Sequence, residues 1–147
     1  MFLKSTNGNE FSLDIVNYEF PDETDVFDGN WLLIKTSIKT KDNIWTVTDP
    51  SLETYDIEDI IEWFSILIKG DEPEDSLLVF TEPNITFRLN NVNKLTINFD
   101  LVLEQECVPS FSLDPDEYIL NMEVSKNTTS LWLNDLLKQL RKFPVRN

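Results

Sequence analysis

The sequence predicts an α+β fold in which antiparallel β-sheet of about seven or eight strands is covered by two amphipathic helices. Three observations predict it. Short runs alternate apolar and polar residues with a period of two, two longer stretches change to a helical period, and turn residues punctuate the chain at short intervals. The hydrophobic share of 41% over 147 residues is enough for one core without disulfide or metal, so the expectation is a single domain over residues 1–147.

Taken in order, Phe2 to Lys4 and Glu10 to Phe20 form a first hairpin around Asn7-Gly8, a pair suited to the positive φ angles of tight turns. Phe11, Leu13 and Ile15 alternate with Ser12 and Asp14, which buries one face and wets the other. Pro21 to Asn30 reads as an acidic loop. It lacks the alternating oxygen ligands and closing glutamate of a calcium loop of the EF-hand type. Trp31 to Lys41 is apolar on both faces near its start, as in a central strand, and a turn at Lys41-Asp42-Asn43 leads to a β-branched strand from Ile44 to Thr48.

From Thr54 to Lys69 the period changes. Ile57, Ile60, Ile61, Phe64, Leu67 and Ile68 form one helical stripe, with Thr54 as the expected N-cap, acids in the first turns and Lys69-Gly70 at the end. An acidic linker, Asp71 to Asp75, precedes three runs that read as an antiparallel meander: Leu77 to Phe80, Ile85 to Leu89 and Lys94 to Leu103. Glu104 to Asp116 reads as loop. Glu117 to Lys126 alternates through Tyr118, Leu120, Met122 and Val124 as a strand. Asn127-Thr128-Thr129 then caps a final helix with Leu133, Leu136, Leu137, Leu140 and Phe143 on its apolar face and Pro144 at its end. Each half thus runs through several strands into one helix, an order that duplication and unrelated α+β chains produce alike.

Composition excludes more chemistry than it suggests. Without histidine there is no ordinary serine or cysteine triad and no histidine-based zinc site, and a single cysteine, Cys107, makes neither a zinc cluster nor a well-activated nucleophile. Three glycines leave no phosphate-cradling loop. Paired carboxylates could hydrolyse a glycoside, but among 27 acids the sequence singles out no pair. The expectation is a protein that is not an enzyme and uses no cofactor or metal. No apolar run approaches the roughly 18 residues of a membrane span, and the opening residues carry no basic stretch followed by an apolar one, so the expected compartment is the cytoplasm.

The net charge of −15 would repel nucleic acid and anionic membranes and attract a basic protein. The alternative is a globular ligand- or protein-binding domain whose acidity serves only solubility. Trp31, Trp45, Trp63 and Trp132 lie inside apolar elements and belong to the core, Trp63 being the one expected to be partly exposed.

Phe20-Pro21, Asp28-Gly29-Asn30-Trp31-Leu32, Trp45, Asp49-Pro50-Ser51-Leu52-Glu53-Thr54, Glu82-Pro83-Asn84-Ile85, Phe99-Asp100 and Phe143-Pro144-Val145-Arg146 form a series of short motifs along nearly the whole chain. In order and spacing the series resembles the WapI-type bacterial immunity proteins. It departs from them at Glu104 to Asp116, where Cys107-Val108-Pro109-Ser110-Phe111 stands in place of an aromatic-proline segment. The resemblance implies a small cytoplasmic protein that binds and blocks the C-terminal domain of a contact-delivered, cell-wall-associated toxin, commonly a nuclease. A nuclease holds phosphate with lysine and arginine, so an acidic inhibitor would suit it. Contact residues are then expected among exposed acids: Asp22, Glu23, Asp25 and Asp28 first, Asp71, Glu72, Glu74 and Asp75 next, then Glu104 and Glu106.

Overall fold

In the computed structural model, which describes residues 1–147, the alternating runs build two four-stranded antiparallel sheets. The first holds β1 (Leu3–Lys4), β2 (Glu10–Tyr18), β3 (Trp31–Lys39) and β4 (Ile44–Glu53), and the second β5 (Leu77–Leu78), β6 (Ile85–Val92), β7 (Thr96–Glu104) and β8 (Glu117–Ser125). In both sheets neighbouring strands follow sequence order. Helix α1 (Thr54–Ile68) follows the first sheet and α2 (Lys126–Lys142) the second, so the α+β class is as predicted and the element order repeats in the two halves.

The first turn is set by Gly8 at φ +93°, a backbone conformation that only glycine adopts freely. β3 is central, between β2 and β4, with Leu32, Ile34 and Ile38 fully buried and Trp31 and Leu33 half-buried on the other face. β4 is longer than expected, because it continues through Asp49-Pro50 directly into α1. Proline can stand there for a physical reason. β4 is an edge strand, and the register jumps between Leu32 and Ile34, so Pro50 falls at a bulge where no ladder hydrogen bond is lost.

Helix α1 buries Ile57, Ile60, Phe64 and Leu67 as its period requires, whereas Ile61 and Ile68 are only half-buried. Trp63, expected at the margin, is 5% exposed. The acidic linker folds back over it, and the Trp63 indole Nε1–H donates to the Asp75 carbonyl at 3.0 Å. The N-cap is Glu53, and the Asp56 carboxylate accepts the Glu53 N–H at 2.8 Å. Thr54 is inside the helix, where its buried hydroxyl donates to Asn30. In α2 the cap is Ser125, one turn ahead of the threonines, and its hydroxyl accepts the Thr128 N–H at 3.1 Å. The face of α2 also includes Trp132 and Thr129, both fully buried, while Leu137 reaches the surface.

One hydrophobic cluster draws on both sheets and both helices. At its centre the rings of Phe11 (β2), Phe64 (α1), Phe87 (β6), Phe99 (β7) and Trp132 (α2) meet edge-on or tilted, with centroids between 5.1 and 6.2 Å apart. Such pairs add to the area they bury, because the positive ring edge faces the negative ring face. Polar bonds brace the sheets from outside. The β1–β2 turn seats on the free edge of β8, with Thr6 N–H on the Glu123 carbonyl at 2.9 Å and the side-chain amides of Asn7 and Asn9 on the Asn121 carbonyl. That edge is thereby covered against unwanted strand pairing. At the other margin the Asn84 amide donates to the Asp49 carboxylate at 2.8 Å and ties β4 to the start of β6.

Candidate functional site

The loop from Phe20 to Asn30 is exposed along most of its length but is not loose. Asp25 folds it from within, its carboxylate accepting the N–H groups of Phe27 and Asp28, each at 2.8 Å. These backbone donors hold the Asp25 carboxyl below the usual aspartate range. The loop ends in a 3-10 turn, Asp28–Asn30, at which the chain doubles back closely: a Cβ on Gly29 would meet the Glu23 carbonyl oxygen at 3.0 Å.

Asn30, completely buried, joins this loop to two distant parts of the chain. Its Oδ1 accepts the Thr54 hydroxyl at 2.7 Å and the Arg146 N–H at 2.8 Å, and its amide donates to the Arg146 carbonyl at 2.8 Å, the Val26 carbonyl and the Tyr55 hydroxyl. Arg146 completes the clamp. Its guanidinium lies 3.5 Å from the centroid of the Tyr18 ring and donates to the carbonyls of Phe20 and Glu23. The Tyr18 hydroxyl donates to the Pro144 carbonyl at 2.6 Å, and its ring packs edge-on against Phe143. The motifs Asp28-Gly29-Asn30-Trp31 and Phe143-Pro144-Val145-Arg146, far apart in sequence, are one structural unit.

Beyond the loop the carboxylates form a string. Glu19 is raised above the ordinary glutamate value by partial burial and then by the charges of Asp49 and Asp28. Asp49 is raised by burial and by Glu106 and Glu82, against the opposing hydrogen bond from Asn84. The fold therefore brings Asp28 and Glu106 together through Glu19, Asp49 and Glu82, none of which was singled out in the sequence. Glu104 is half-buried at the end of β7, its N–H on the Asn84 carbonyl, and positions this corner.

Asp71, Glu72, Glu74 and Asp75 lie elsewhere, in the linker folded against α1. There Glu74 and Asp75 join Asp59 and Glu62 around a hollow of ≈ 250 Å³ floored by Trp63 and Ile66. Thr81, next to Glu82, donates to the Glu53 carboxylate, so a second acidic string runs from the end of the first along α1 through Glu53, Asp56 and Asp59 to Glu62. None of the carboxylates predicted for the site is in an ion pair. The cations that do pair engage Asp14, Asp135, Glu10 and Asp100 instead.

Cys107 is buried among these acids, and its thiol is pushed up to about 12 by burial and then by Asp49 and Glu106. A thiol so far from ionising does not act as a nucleophile near neutral pH. No group of histidine, cysteine and acidic side chains is arranged to hold a metal ion, and no helix is long and apolar enough to cross a membrane.

Asp56 makes the stability of the fold sensitive to pH. Burial, with help from the charges of Glu53 and Asp59 and against the Glu53 N–H, pushes its carboxyl up from 3.8 to about 6. Between those values the folded chain keeps a proton that the unfolded chain has released, so stability falls as pH rises through this window. The melting temperature is expected to rise on acidification from about pH 7 to about pH 5.5, and Asp56→Asn, which still accepts the capping N–H, is expected to flatten that slope. Thermal melts at several pH values test this. A slope equally steep in the variant would assign the titration to other carboxylates.

The family model described as the immunity protein WapI-like family matches residues 1–144. The chain belongs to that family. The resemblance carried by the short motifs is thereby shown along the chain. No curated protein and no solved structure matches the chain. Within the WapI-like family frame, sequence reasoning missed Glu19, Asp49 and Glu82, and the one available signal was that Asp49 and Glu82 sit inside family motifs, each next to a proline.

Proposed function

We propose that this WapI-like immunity protein, acting in the cytoplasm as one domain over residues 1–147, neutralises a cognate toxin by binding its C-terminal domain. The toxin domain is basic, a nuclease, and the acidic surface covers the groove with which it would hold phosphate. The carrying observation is the run of coupled, unpaired carboxylates from Asp28 through Glu19 and Asp49 to Glu82 and Glu106. Glu19 and Asp49 are raised by burial and then by these acidic neighbours, and an approaching cation offsets that effect. The same field steers a basic partner into encounter, which suits an inhibitor that must arrive before damage is done. Binding of this kind requires no catalytic step.

The test uses the C-terminal domain of a contact-delivered toxin of the native strain, identified by its co-purification with the immunity protein. Co-expression of the immunity protein should restore growth of cells that make that domain, and the two purified proteins should associate with a rate that falls steeply with salt. Reversing Asp22, Glu23 and Asp28 to lysine, while sparing Asp25 because it folds the loop, should slow association about tenfold or more and flatten its salt dependence, with melting unchanged. An unaltered association rate would remove the loop from the interface, and failure to rescue growth would remove the toxin assignment.

A further inference from the structure

The loop carries apolar surface as well as charge. Phe27 is 78% exposed, with Val26 at 43% next to it and Phe20 at 42% at the start of the same loop, which also carries Asp22, Glu23 and Asp28. A phenylalanine gains nothing from such exposure, and the loop's internal bonds run through backbone groups and Asp25, so its ring is not needed to shape the loop. The position is nevertheless fixed. The Phe27 N–H is held by Asp25, the preceding Val26 carbonyl by Asn30, and the carbonyls of Phe20 and Glu23 by Arg146. An aromatic side chain presented on a pre-ordered backbone loses little further backbone freedom on binding, and a desolvated aromatic within a polar rim is the usual composition of an interface hot spot.

We propose that Phe27 is the anchor of the interface: its ring enters an apolar pocket in the basic face of the toxin domain, while Asp22, Glu23 and Asp28 meet lysine or arginine side chains around the mouth of that pocket. This rests on the toxin-binding reading above and gives it a division of labour. Carboxylates govern the rate of encounter, and Phe27 governs how long the complex lasts. Arg146 is a positioning residue, since it reaches the partner only through the loop it holds. A rival anchor exists in Leu113, fully exposed at the rim of a groove of ≈ 460 Å³ with Phe111, Tyr118 and Ile119 and flanked by the unpaired Asp114 and Glu117, but Phe27 is the aromatic one and stands on the loop that Asn30 and Arg146 hold in place.

The experiment measures surface plasmon resonance of the wild type, Phe27→Ala, Phe27→Trp and Leu113→Ala against the immobilised toxin domain identified by that co-purification. Phe27→Ala is expected to raise the dissociation rate about 30-fold or more with the association rate and melting temperature unchanged, Phe27→Trp to restore most of the lifetime, and Leu113→Ala to change neither rate more than about threefold. A Phe27→Ala complex that lasts as long as the wild-type one overturns the anchor while leaving toxin binding intact, and so does a large loss confined to Leu113→Ala. If the wild type itself does not bind, the anchor falls together with the reading beneath it.

Discussion

Phe64→Ala is expected to lower stability by about 3–5 kcal/mol and the melting temperature by roughly 10 °C. The side chain is fully buried, and its ring meets those of Trp63 at 5.0 Å, Phe99 at 5.1 Å, Phe87 at 5.4 Å and Trp132 at 5.4 Å. These neighbours come from α1, β7, β6 and α2, so each belongs to a separate rigid element and none can collapse into the space without moving that element. A cavity left in such a position keeps its full cost. Thermal unfolding followed by circular dichroism checks the value. A variant melting within about 3 °C of the wild type would show that the aromatic centre is loosely packed.

The second large effect belongs to Asn30→Ala. The substitution strips partners from the Thr54 hydroxyl, which is buried, and from the N–H and carbonyl of Arg146 and the carbonyl of Val26. At about 1–3 kcal/mol for each buried group left unsatisfied, and with water able to reach the tail side, a loss of about 3–4 kcal/mol follows. The distinguishing sign is where protection is lost. Hydrogen exchange should accelerate together in residues 20–30 and 143–147, because one side chain holds both. Acceleration in one segment alone would mean that the other has its own support. Asn30→Asp keeps the acceptor oxygen and loses the donors, and should fall between the wild type and the alanine variant.

The elements with a clean, sustained period were the legible ones. The α1 stripe and the alternation of β6 to β8 follow from burial of one face, which is a local property of the chain. Trp63 defeated that reading because its cover comes from a linker whose return path no periodicity records, and Thr54 looked like a cap although Glu53 and Asp56 fill that role. Ile61 lies in the α1 stripe by count but faces a shallow hollow between the two helices, so it is half-buried. At the surface the difficulty was of another kind. Asp28 and Asp25 could be picked from a dense acidic loop and Glu106 from its neighbour Glu104, but Glu19, Asp49 and Glu82 are single acids on separate segments, and only strand pairing and the Asn84 to Asp49 bond bring them together. Phe27 was hidden for the opposite reason. In a chain so rich in phenylalanine, an apolar residue is assigned to the core unless the backbone shows that nothing covers it.

The clamp between Asn30 and Arg146 spans 116 positions of the chain. At translation speeds of about 5–20 residues per second, Asn30 is added to the chain roughly 6–23 s before the arginine that sets the shape of its loop. During that interval the loop has its carboxylates but not its fixed backbone, and a chain broken off early never acquires it. The finished form of this surface is therefore a record that synthesis has passed residue 146.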